Sequence, residues 1–107
     1  MDLYNELQQK IKELEISIKQ LRTSGTNYAQ AERDYKVLLR HEVLKLRDEG
    51  QAIGVIDKIC YGIPAVAEAR FKRDVAKTVY TANLEAINSI KLQMRLLENQ
   101  IQREYGN

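Results

Sequence analysis

Apolar residues recur at steps of three and four along most of the chain, the period of helices that bury one face. The longest such pattern runs from Pro64 to Tyr105. No proline follows Pro64, and no glycine intervenes before Gly106. The pattern predicts one continuous helix over 64–105, about 40 residues and roughly 60 Å long at 1.5 Å per residue. A compact domain of this size is only about 30–35 Å across. The rest of the chain must therefore lie along this helix or leave part of it to a partner.

The long helix changes character along its length. Its first half is rich in alanine (Ala65, Ala67, Ala69, Ala76, Ala82 and Ala86), with Val66, Phe71, Val75, Val79 and Tyr80 among them. Its second half carries large aliphatics: Ile87, Ile90, Leu92, Met94, Leu96, Leu97 and Ile101. The continuous apolar seam reads Val75, Val79, Ala82, Ala86, Ile90, Met94, Leu97, Ile101. Tyr105, Gly106 and Asn107 end the helix.

Upstream, a first helix is predicted over about 3–23. Its stripe is Leu3, Leu7, Ile11, Leu14, Ile18 and Leu21, and its later steps alternate between three and four as in a coiled-coil seam. Ile16 lies off the stripe and offers a second contact face. Ser24-Gly25-Thr26-Asn27 then reads as an interruption: Gly25 can end a helix, and Thr26 or Asn27 can cap the next. A second helix is predicted over about 28–48, led by Tyr28, Ala31, Tyr35, Leu38 and Leu39 and continued by Val43 and Leu46. Gly50 stops it. A short apolar helix follows over about 53–61, with Ile53, Ile56, Ile59 and Cys60 spaced as two buried turns. Ile63 precedes proline and is biased away from helical dihedrals, while Pro64 suits the first position of the long helix.

The fold class that follows is all-α, in a single domain over 1–107. An elongated antiparallel helical hairpin would pair the second helix with the alanine-rich half of the long one. Tyr28 and Tyr35 would find room there, and the first helix would meet the aliphatic half. The competing arrangement reverses the chain at Ser24–Asn27 and leaves the end of the long helix projecting. A two-stranded hairpin buries little by itself, so self-association as a dimeric bundle is expected. The residues expected to carry it are Leu7, Ile11, Leu14, Ile18 and Leu21 with Ile90, Met94, Leu97 and Ile101. Removing a buried leucine there should cost about 2–5 kcal/mol.

Composition agrees with this reading. Of 107 residues, 44% are hydrophobic and 30% charged, with no tryptophan and one proline, the profile of a long-helix protein. The formal charge of +2 is too small to imply nucleic acid. Its distribution says more. Residues 1–50 balance nine basic against nine acidic side chains, whereas residues 70–95 set Arg70, Lys72, Arg73, Lys77, Lys91 and Arg95 against Asp74 and Glu85.

Arg70, Arg73 and Lys77 share a helix face and form a candidate phosphate contact without sequence specificity, with Tyr80 nearby for stacking. The plainer reading is a solvated face containing Asp74. A helix-turn-helix echo over Arg47–Arg73 fails at its recognition end, because Pro64-Ala65-Val66-Ala67-Glu68-Ala69 has almost nothing to reach base edges with.

No catalytic, cofactor or metal residues are assigned. Gly50, Gly54 and Gly62 lack the Gly-Lys-Ser/Thr of a phosphate loop. His41 has no second His or Cys at ligand spacing and reads as a surface residue. Cys60, the only cysteine, reads as a small core residue. No run approaches the ~18 apolar residues of a membrane span. The opening residues Met1-Asp2-Leu3-Tyr4 lack a signal-peptide pattern, so a cytoplasmic location without membrane contact is expected.

Several stretches together carry a resemblance. They are Glu85-Ala86-Ile87-Asn88-Ser89-Ile90-Lys91-Leu92-Gln93, then Arg95-Leu96-Leu97-Glu98, and Gln100 to Tyr105, with Leu44 to Gly50 and Ala69 to Asp74 upstream. With these the chain resembles a group of small uncharacterised helical proteins of temperate phages and prophages of Gram-positive bacteria. The resemblance implies a phage early-region setting, near replication or recombination, in the bacterial host cytoplasm. It implies no catalytic or binding residues.

Overall fold

In the computed structural model, residues 2–106 are described; Met1 and Asn107 lie outside them. Three α-helices run Leu3–Asp48 (α1), Ile53–Ile59 (α2) and Pro64–Tyr105 (α3), with a 3₁₀ turn over Cys60–Gly62 between the last two. No strand occurs among the described residues.

The interruption expected at Ser24–Asn27 is absent. The two predicted helices over 3–23 and 28–48 are one, α1, which passes through Gly25. The physical reason lies in the phase of the pattern. Leu7, Leu14, Leu21, Tyr28 and Tyr35 are spaced by sevens, so the stripe is in step on both sides of Gly25. A break there would leave four N–H and four C=O groups to satisfy. Carrying one glycine through a helix costs only about 1 kcal/mol. The polar side chains settle into the helix instead of capping it. Thr23 Oγ1 donates to the Lys19 carbonyl at 3.4 Å, and Ser24 Oγ donates to the Leu21 carbonyl at 3.2 Å.

Local rules do fix the helix ends. At the start, the Tyr4 N–H donates to Asp2 Oδ1 at 2.9 Å, a side-chain cap. At the other end of α1, Gly50 takes φ +89°. Its N–H donates to Arg47 O at 3.0 Å, and the Gln51 N–H reaches back to Leu46 O at 3.1 Å. That bond pair closes a helix with a left-handed glycine. Ile63 is extended (φ −61°, ψ 125°), and its carbonyl accepts from the Ala67 N–H at 2.9 Å, so α3 starts at Pro64 as proline's geometry favours.

The chain divides into two compact units. One joins the residues up to Ser24 with those from Tyr80 onward; the other is the continuous stretch from Gly25 to Val79. In the first unit the two arms are antiparallel. Tyr4 stacks near Tyr105 with ring centroids 6.1 Å apart, while at the far end Asn83 Nδ2 donates to Ser24 Oγ at 2.8 Å and to the Gln20 carbonyl at 3.4 Å. Leu3, Ser24 and Ile87 are its buried residues. The buried Ser24 hydroxyl is thus both donor and acceptor, which removes the penalty of enclosing it.

In the second unit the remainder of α1 and the first turns of α3 are antiparallel, joined by α2. The deepest side chains are Val66 at 0% exposure, Ile56 at 2% and Cys60 at 3%, with Tyr35 also buried. The short helix is buried on one side only. Ile56 and Cys60 point inward as expected, but Ile53 and Ile59 are exposed, contrary to the two fully buried turns their spacing suggested.

The seam of α3 also departs from expectation in its first half. The sheltered positions in the second unit are Val66, Ala69, Arg73 and Ala76; in the first unit they are Tyr80, Asn83, Ile87, Ile90, Met94, Leu97 and Ile101. These steps alternate between three and four without a fault, the spacing of knobs-into-holes packing. Val75 and Val79, placed on the seam by their apolarity, are 47% and 48% exposed, and Ala82 and Ala86 are exposed too. Apolarity alone misplaced the seam because two of its true members, Arg73 and Asn83, are polar.

Candidate interaction site

Of the residues expected to carry self-association, all lie in the first unit. Leu7, Ile11, Leu14 and Leu21 on α1, and Ile90, Met94, Leu97 and Ile101 on α3, are half-buried. Ile18 is exposed, at 36%. The aliphatic seam is therefore only partly covered by its own chain. Off the seam, Ile16, Leu92 and Leu96 are each more than half exposed, Ile16 and Leu92 on the far sides of their helices at 100° per residue. A shallow groove of about 390 Å³ runs between the arms, lined by Glu6, Gln9, Lys10, Gln93, Leu96 and Leu97. Lys10 is held at its edge by an ion pair with Glu13 at 3.1 Å.

The basic trio separates. Arg73 is drawn into the second unit and is not part of a free basic face. Its Nε donates to Asp74 Oδ1 at 2.8 Å and its Nη1 to Glu32 Oε1 at 3.4 Å, while the guanidinium lies 4.7 Å from the centre of the Tyr35 ring. Glu32 is shared with Lys36 at 3.5 Å. Burial works against the Arg73 charge, but the Asp74 hydrogen bond and the charges of Asp74 and Glu32 outweigh it, so the guanidinium binds its proton more tightly than an ordinary arginine. Arg70 and Lys77 stay exposed two turns apart, and Arg70 lies 5.7 Å from the Tyr61 ring. A sequence signal for the role of Arg73 existed: it lies one heptad from both Val66 and Tyr80, on the phase of the seam.

The two sides of the second unit differ. At 100° per residue, Glu32 flanks Tyr35 on one side of α1, and Ala31 and Leu38 flank it on the other. The Glu32 side carries the ionic cluster. The opposite side is a groove of about 360 Å³ lined by Ala31, Asp34 and Leu38 of α1 and by Ala65, Glu68, Ala69 and Lys72 of α3.

His41 is exposed and Cys60 is buried with a free thiol. Among the described residues, no group of three or more His, Cys, Asp or Glu side chains could hold a metal ion. No described helix is long and apolar enough to cross a membrane. No family model matches the chain, and no curated protein or solved structure matches it either.

Proposed function

We propose that this chain is a non-enzymatic interaction protein that self-associates through its helices. The observation that carries this reading is the half-covered aliphatic seam. Leu7, Ile11, Leu14 and Leu21 with Ile90, Met94, Leu97 and Ile101 stay partly open to water, and Ile18 on the same stripe is exposed. An apolar seam left partly open to water offers a surface for a protein contact. Two such hairpins placed together make a four-helix arrangement in which each seam gains its missing cover. A two-fold dimer is the simplest form. The setting we propose, a phage or prophage protein in a bacterial host cytoplasm, rests on sequence resemblance alone, in stretches such as Ala69–Asp74 and Glu85–Gln93. Sedimentation velocity across micromolar concentrations tests the reading. A concentration-dependent dimer is expected, and a well-folded monomer throughout would refute it.

A second reading is a sequence-independent nucleic-acid accessory role in phage replication or recombination. It draws support from Arg70 and Lys77, exposed on one side of α3; Arg73 is committed to Glu32, Asp74 and Tyr35. Titration of single-stranded and duplex DNA at several salt concentrations separates the two readings. An absence of binding at low salt, or binding indifferent to the loss of Arg70 and Lys77, disposes of the second.

A further inference from the structure

Beside its buried seam, α3 carries a second row with the same alternation of three and four: Ala65, Glu68, Lys72, Val75 and Val79 within the second unit. All five are exposed. Its first three members line the groove whose α1 wall is Ala31, Asp34 and Leu38, and Val75 and Val79 continue the row over the next two turns. The face therefore has the spacing that helix packing uses, a depression where side chains are small, and two exposed valines next to it.

Its charges are of both signs. Among the described residues, neither Glu68 nor Lys72 makes an ion pair or hydrogen bond, and Asp34 is engaged only by Gln30 and, at 3.9 Å, by Arg33. A face bearing both signs around an apolar centre can be complementary to itself. Under two-fold symmetry each contact occurs twice, so one unpaired lysine meets an acid on the other copy in both directions.

We infer that this face, the groove between Ala31–Leu38 and Ala65–Lys72 with Val75 and Val79 beside it, binds the same face of a second copy. Lys72 of each copy sits against the acidic rim, Asp34 and Glu68, of the other. The valines of each fill the alanine-lined depression of the other. The opposite side of the unit, closed by the Glu32–Arg73–Asp74 cluster, stays in water. The inference rests on the self-association proposed above and adds to its seam, in the first unit, a second surface in the other unit.

The test uses two full-length charge variants. Lys72→Glu leaves an all-acidic rim; Asp34→Lys with Glu68→Lys leaves an all-basic one. These three side chains lie outside the buried seam, and circular dichroism checks that both variants stay helical. Each variant alone should associate at least about tenfold more weakly than the unaltered chain, since two favourable pairs become repulsive. An equimolar mixture should recover association, as a mixed dimer identified by a mass tag on one variant. Undiminished association of either variant alone overturns this surface while leaving self-association intact, as does a mixture that stays monomeric. A monomeric unaltered chain overturns both.

Discussion

Replacing Arg73 by methionine should destabilise the fold by about 1–2 kcal/mol while leaving a similar stem in place. Methionine fills the space of the arginine methylenes but removes the guanidinium. Three interactions go with it: the 2.8 Å bond to Asp74, the 3.4 Å bond to Glu32 and the contact 4.7 Å from the Tyr35 ring centre. Asp74 is more than half exposed, so its pair belongs at the low end of about 0.2–1 kcal/mol. The Glu32 pair is better sheltered, with side chains 20% and 26% exposed, and belongs nearer the top of that range. The cation–π contact adds about 0.5–1 kcal/mol.

Urea denaturation followed by circular dichroism, at one fixed protein concentration, reads the change as a midpoint shift of about 1 M. A double-mutant cycle with Tyr35→Leu isolates the ring contact, with an expected coupling of about 0.5–1 kcal/mol. Arg73→Met with a stability unchanged within about 0.3 kcal/mol would refute the placement of Arg73 inside the unit. Arg73→Ala, which also strips the stem, should cost about 1 kcal/mol more than Arg73→Met.

Three further outcomes follow from the same geometry. Gly25→Pro should cost about 3 kcal/mol and reduce helicity, because it deletes a backbone bond within continuous α1; an unchanged melting curve would mean the chain is broken there after all. Ile56→Ala should cost about 2–5 kcal/mol, whereas Ile53→Ala, at a position 68% exposed, should cost well under 1 kcal/mol; equal effects in thermal unfolding would contradict the one-sided burial of α2. Gly50→Ala should cost about 1–2 kcal/mol because φ +89° is strained for any residue with a Cβ, even though nothing lies within 4 Å of where that Cβ would be; a neutral result in chemical denaturation would show that the α1 terminus is not held as described.

What could be read from the sequence was what depends on neighbouring residues. The extent of α3, its start at Pro64, the stop at Gly50 and the short helix after it follow from proline and glycine geometry and from the helical period of one segment. Cys60 was legible as core from its apolar surroundings. The seven-residue phase from Leu7 to Tyr35 also held the information that α1 is continuous, but the local signal of Ser24-Gly25-Thr26-Asn27 pointed the other way. A glycine's cost of about 1 kcal/mol is decided by packing along the whole helix.

Only the tertiary structure decided which of two neighbouring rows on α3 turns inward. Both rows alternate by three and four, and the one richer in valine faces water. The other row faces α1 because Arg73 finds Glu32 and Tyr35 there, and Asn83 finds Ser24 and Gln20. A stripe is a property of one segment and can be counted along it. The choice of partner compares two segments far apart in the chain, and a buried polar residue is favourable only where the partner supplies its complement. The same division applies to the proposed interaction surfaces: the sequence marks the chain as rich in apolar helix faces, and the fold decides which of them are left open.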